Sequence, residues 1–252
     1  MNKPEKVKYI RQLMASGKAS VGSWMQLSDG SVAEIMGQSG YDWVAVDLEH
    51  GSFSLHQLPN IFRALELNGT LPLVRLAQGH VKDCKQALDA GAAGVIVPMV
   101  ESAEQLEMVK NACSWPPSGT RGVGFSRANL FGKNFITYNE EAQKPFLVAM
   151  IEHINAVENL GSILKVKGLD AILVGPYDLS ASMGITGNFE EPLFEKVMSR
   201  ILALCEQNRV SAGIHVVQPD IKLVNRRISE GYRFIAYSID SVFLREAAFF
   251  KR

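Results

Sequence analysis

Short apolar runs, many of them β-branched, recur along the chain, and each is followed by a stretch with helical spacing of polar and apolar positions. The runs cover residues 20–24, 43–47, 72–76, 94–98, 146–151, 171–174, 210–214 and 233–237. Most are continuously apolar, the pattern of parallel strands covered on both faces. Between them stand amphipathic stretches such as "SLHQLPNIFRALELNG" and "EEPLFEKVMSRILALCEQNR". In "ALDAGAAG" and "RRISEGYR" a glycine is available for the left-handed turn that ends a helix.

Eight β–α units in 252 residues predict an α/β protein with a (β/α)8 barrel as one domain over residues 1–252. An open doubly wound sheet has the same alternation, so counting strands does not separate the two. Nucleotide-binding versions lose ground because no G-x-G-x-x-G follows the first strand and no G-x-x-x-x-G-K-[ST] occurs. "RGVGF" at 121–125 lacks the third glycine and reads as a tight turn. Residues 114–145 break the rhythm, being rich in Gly, Pro and Asn without clean periodicity. So long a connection in a compact domain is usually functional, and it is expected at the rim of the site.

Composition narrows the partners. With 26 basic and 26 acidic residues the formal charge is zero, which disfavours nucleic acid or an anionic membrane surface as the main partner. A hydrophobic share of 47% supports a large core. Cys84, Cys113 and Cys205 are odd in number and contain no C-x-x-C pair, as suits reduced thiols. No secretory h-region and no membrane-length apolar run is present. The expectation is a soluble cytoplasmic protein.

Candidate chemistry gathers where strands end. "VAVDLEHGS" at 44–52 leaves a buried-strand pattern with two acids and a histidine. Other exits carry Gln26, Arg75, Glu152 with His153, Asp178, His215, and Ser238 with Asp240. Singly, each has a plain structural role: Asp47 or Asp178 can cap a helix, and Arg75 can serve an ion pair. Together they cluster at one end of separate strands, the end where barrels carry their sites. Glu152 and Asp178 offer hard oxygen ligands for Mg²⁺ or Mn²⁺. Arg75 offers a planar donor fork for a carboxylate or enolate, and His50 a proton carrier near neutral pH. No exit carries the lysine of a Schiff-base aldolase, since Lys165 and Lys167 precede a strand, and no G-x-S-x-G elbow appears.

At "DLEHG", "LVRL", "LDAGAAGVIVPMV", "RGVG", "IE" and "VGPYDLSASMG" the chain resembles the HpcH/HpaI aldolase family, in matching order from about residue 20 to 240. The resemblance implies a class II aldolase that cleaves 4-hydroxy-2-oxo or 2-oxo-3-deoxy acids to pyruvate and an aldehyde. It implies His50 as proton acceptor, Asp89 raising the basicity of His50, Asp47 beside it, and Arg75 stabilising the enolate. It assigns a divalent metal (Mg²⁺, Mn²⁺ or Co²⁺) to Glu152 and Asp178, and the substrate carboxylate to the backbone of Gly175, Pro176, Tyr177 and Asp178. It also implies a homo-oligomer, a hexamer built as a trimer of dimers, with the C-terminal helix exchanged between subunits. The apolar side chains in "SVFLREAAFFKR" agree with such an exchange.

Two positions depart from the family. Met150 stands where the family has Gln, and Tyr177 where it has Ala, which leaves the enolate machinery and changes the surroundings of the second substrate. Such a pocket also suits decarboxylation of oxaloacetate, or its condensation with acetyl-CoA. A barrel that only binds a ligand is the reading outside catalysis.

Overall fold

The computed structural model describes residues 1–250. Eight parallel strands form a closed barrel in sequence order. They are β1 (Ser20–Met25), β2 (Trp43–Asp47), β3 (Leu71–Arg75), β4 (Gly94–Val97), β5 (Phe146–Ile151), β6 (Ala171–Val174), β7 (Ser211–Val216) and β8 (Phe234–Ile239). All eight apolar runs are strands, and closure of β8 onto β1 decides for the barrel over the open sheet.

The core has two shells. Outward-facing strand residues such as Val44, Val46 and Val74 pack with the surrounding helices, and inward-facing ones fill the barrel. At the N-terminal end of the barrel Trp43 stacks on Phe234 at 4.2 Å. Gly22 makes room for them, since a Cβ there would lie 2.0 Å from the Trp43 ring. Helix Lys3–Ala15 closes this end by adding Ile10 and Met14 to the inner shell.

Two helices illustrate how signals in the sequence set a start and an end. Asp29 caps helix Gly30–Gln38 by accepting from the Ser31 amide at 2.7 Å. Helix Ile221–Glu230 ends on Gly231 with φ 116°.

The expectation for residues 114–145 is corrected. The segment joins helix Ala103–Cys113 to the start of β5, so it lies at the N-terminal end of its own barrel, away from the strand exits. It contains a short 3₁₀ turn, Arg127–Asn129, and helix Phe135–Ala142. Trp115 and Tyr138 pack edge to face at 5.2 Å, with buried Arg121 over both rings. Periodicity fails here because the segment folds around its own small aromatic cluster.

Candidate active site

The registers define the floor of the site. Trp24 pairs through Ala45 with Leu73, two residues before Arg75. Arg75 pairs through Ile96 with Val148, two before Met150. Met150 pairs through Leu173 with Gly213, two before His215. His215 pairs through Ala236 with Gly22, two before Trp24. That advance is the shear of a (β/α)8 barrel, in which alternate strands give one layer of four side chains. Trp24, Arg75, Met150 and His215 are therefore the last interior layer formed by the odd strands, and the exit residues stand above it.

The stretch "DLEHG" is organised by Asp47. Its fully buried carboxylate takes Arg75 Nε at 2.8 Å and Nη2 at 2.6 Å, and Gln26 Nε2 at 3.1 Å. It also accepts the backbone N–H groups of Glu49 and His50 at 3.0 and 3.2 Å. Burial pushes the Asp47 carboxyl up, but Arg75's hydrogen bonds and charge outweigh it and hold the carboxyl below its usual value. Glu49 Oε2 lies 2.9 Å from Arg75 Nη1, an ion pair outside hydrogen-bonding angles. With its backbone tied down, His50 presents an exposed imidazole at the mouth.

Glu152, 3% exposed, follows β5 and accepts the Met99 amide at 2.9 Å. Burial pushes its carboxyl up to about 7, against the Met99 bond and the charge of Arg75, while Asp178 and Glu49 push the same way as burial. Met99 holds a left-handed backbone, φ 48°, beside this carboxylate; backbone strain of this kind concentrates at functional sites. Gly175 is needed for space: a Cβ there would stand 2.7 Å from Glu152 Oε1. Pro176 opens helix Pro176–Ser182, whose first turn carries Asp178, exposed at the mouth. A buried, incompletely compensated carboxylate beside a second one is an oxygen-only donor pair that fits a hard divalent cation. Among the described residues no three His, Cys, Asp or Glu side chains are placed to hold a metal ion together, so water or substrate oxygens would complete the coordination.

Asp47, Glu49, His50, Arg75, Glu152 and Asp178 thus share one electrostatic neighbourhood. Met150 is buried in the floor, whereas Tyr177 stands 44% exposed at the rim, edge-on to Phe189 at 5.1 Å. Asp89 is not brought to this group within one chain. It ends helix Val81–Asp89, which runs back to the start of β4, and its charged neighbours are Arg121 and Lys85. Asp240 is structural, accepting the Gln26 and Leu27 amides at 2.9 and 3.0 Å. Sequence reasoning missed Trp24 and the Met99 amide: Trp24 reads as ordinary core, and a backbone N–H leaves no signature in residue type.

A barrel that gathers a desolvated guanidinium, a buried carboxyl and an exposed imidazole at its C-terminal mouth has the equipment of an enzyme that moves protons beside a carbonyl. Comparison with known proteins gives the family. The model of the HpcH/HpaI aldolase/citrate lyase family matches residues 20–247. A hydroxypyruvate/pyruvate aldolase from Roseobacter denitrificans is 32% identical over 244 residues, 96% of this chain and 94% of that protein. A 2-keto-3-deoxy-L-rhamnonate aldolase from Salmonella gallinarum is 33% identical over 241 residues, 94% of this chain and 89% of that protein. A crystal structure of a family protein from Burkholderia cenocepacia superposes with a TM-score of 0.89 at 30% identity, covering 95% of each chain. The chain belongs to the HpcH/HpaI aldolase/citrate lyase family, and it is an aldolase, a carbon–carbon lyase.

Proposed function

We propose that the enzyme reversibly cleaves a 4-hydroxy-2-oxo or 2-oxo-3-deoxy acid to pyruvate, or a close 2-oxo acid, and an aldehyde. The observation that carries this reading is Arg75. Asp47 engages two of its five N–H bonds and fixes the plane of the fork, leaving donors for an oxygen that gains negative charge. In cleavage, His50 takes the proton from the 4-hydroxyl as the C3–C4 bond breaks, and Arg75 holds the enolate oxygen. In condensation, His50 removes a proton from the C3 carbon of the 2-oxo acid. Glu152 and Asp178 would hold Mg²⁺, Mn²⁺ or Co²⁺, which when bound supplies Lewis-acid polarisation of the 2-oxo group. The backbone from Gly175 to Asp178 borders the same space and suits the substrate carboxylate.

Asp89 can support His50 only from a neighbouring copy, because the two lie at opposite ends of one barrel. This agrees with a homo-oligomer, proposed as a trimer of dimers. Exposed Phe125, Phe131, Leu244, Phe249 and Phe250 give apolar surface for such contacts. Phe243 packs on Tyr237 of its own chain at 5.4 Å, so any exchange of the C-terminal helix would have to replace that contact. The three cysteines are free and buried, which suits a reducing cytoplasm. No helix among the described residues is long and apolar enough to cross a membrane.

Proton exchange at the methyl of pyruvate, followed by NMR with added Mg²⁺ or Mn²⁺, tests this reading. Metal-dependent loss of the methyl signal in deuterated water is the expected result, and full retention at enzyme concentrations near the substrate's would overturn it.

A further inference from the structure

His215 has no part in the chemistry above, yet it occupies the floor of the site. Its ring is held on two sides. Nε2 lies 3.2 Å from the carbonyl oxygen of Ser238, and the ring centroid lies 4.9 Å from that of Trp24. A carbonyl only accepts, so Nε2 carries the proton. Burial, with Arg75 acting the same way against Asp47 and the Ser238 bond, brings the imidazole down to about 4, so the ring is neutral at physiological pH. Nδ1 is then a lone-pair acceptor. It makes no hydrogen bond within the described chain and is not among the fully buried unpaired polar atoms, so it is free to accept from a ligand on the floor.

The other three floor residues cannot accept a strong hydrogen bond. Trp24 Nε1 and the Arg75 guanidinium only donate, and the Met150 thioether is a weak acceptor. In a layer of four, the members from β3 and β7 face each other across the barrel axis, so Arg75 stands opposite His215. A ligand resting on this floor meets donors on one side and one acceptor on the other.

Resting on the aldolase reading, we propose that His215 is a specificity-determining residue whose Nδ1 accepts a hydrogen bond from a hydroxyl on C3 of the 2-oxo acid. The site would thereby favour 3-hydroxy-2-oxo acids such as hydroxypyruvate over pyruvate. The enolate oxygen sits on C2 at Arg75, and C3 is the next carbon, within the span of the floor. The aldehyde approaches from above, where Tyr177 forms the rim, so its hydroxyls are farther from His215.

The test compares the Mg²⁺-loaded wild type with His215→Phe, which keeps a ring on Trp24 and removes the acceptor, and with His215→Gln and His215→Asn, which restore an acceptor oxygen. The readout is the ratio of kcat/KM for hydroxypyruvate to that for pyruvate, each added to glycolaldehyde, with C3 proton exchange measured for both acids. His215→Phe is expected to lower the ratio about tenfold, the worth of one hydrogen bond in a partly desolvated site, and at least one amide variant to recover part of it. An unmoved ratio in His215→Phe, or no recovery in either amide variant, would overturn the assignment while intact exchange left the aldolase reading standing. Absence of exchange with both acids in the wild type would overturn both.

Discussion

Asp47 holds Arg75 with both carboxylate oxygens, at 2.8 and 2.6 Å, and spends its remaining capacity on Gln26 and on the backbone of Glu49 and His50. One buried side chain therefore sets both the plane of the guanidinium and the loop carrying the imidazole. Asp47→Ala is expected to cost about 3–5 kcal/mol in urea denaturation, the usual result of leaving one partner of a buried pair uncompensated. It is also expected to lower kcat more than it raises KM. A loss under 1 kcal/mol would mean the pair is not desolvated as the structure has it.

His50 is expected to carry the proton. His50→Asn should lower turnover about 10²–10⁴-fold, the range for a positioned acid–base group, with melting temperature nearly unchanged because the ring is exposed. Asp89→Asn should lower activity less and shift the acidic limb of the pH–rate profile, but only where light scattering shows an oligomer. Equal effects in a monomeric sample would rule out support from a neighbouring copy.

Glu152 links the metal to pH. Its carboxyl is raised from the ordinary 4.5 to about 7 in the native state, so the native state holds this proton more tightly than the unfolded one does. The contribution of this group to metal-free stability should then be fully present below pH 4.5 and be lost as pH rises through 7, by on the order of 3 kcal/mol. Glu152→Gln should flatten that slope. Mg²⁺ or Mn²⁺ should raise the melting temperature more at pH 8 than at pH 5, and chelation should abolish activity that either ion restores. Gly175→Ala, which sets a Cβ against Glu152 Oε1, should weaken the metal-induced stabilisation. Equal stabilisation at the two pH values would sink the assignment.

Met150 and Tyr177 lie at different depths, one in the floor and one at the rim, so their effects on selectivity should separate. Tyr177→Ala is expected to widen acceptance of hydroxylated aldehydes, and Met150→Gln to act on the 2-oxo acid, each by about 1–3 kcal/mol in relative kcat/KM. Steady-state assays over a panel of aldehydes with one 2-oxo acid check the first, and the converse panel the second. The same substrate ranking in the double variant would exclude both residues as determinants.

Much of this was legible in the sequence because parallel strands buried on both faces are apolar without interruption, so a charged residue marks where cover ends. That is why Asp47, Arg75, Glu152 and Asp178 stood out. His215 stood out by the same signal, but its acceptor role needs the Ser238 carbonyl and the Trp24 ring, which only the closed barrel brings to it. The 114–145 segment was misplaced because an irregular composition shows that a connection is unusual and not which end of the barrel it occupies. Asp89 shows a different limit: the motif "LDAG" identifies the residue, while the topology puts it far from its partner in the same chain.

The floor layer draws one residue from each of β1, β3, β5 and β7, spread from position 24 to position 215, and its last register link passes through β8 back to β1. No fragment that lacks either end of the chain can assemble it. Turnover is then a reporter of ring closure itself: a refolding chain gains activity only when the first and last strands meet, however much secondary structure has formed before.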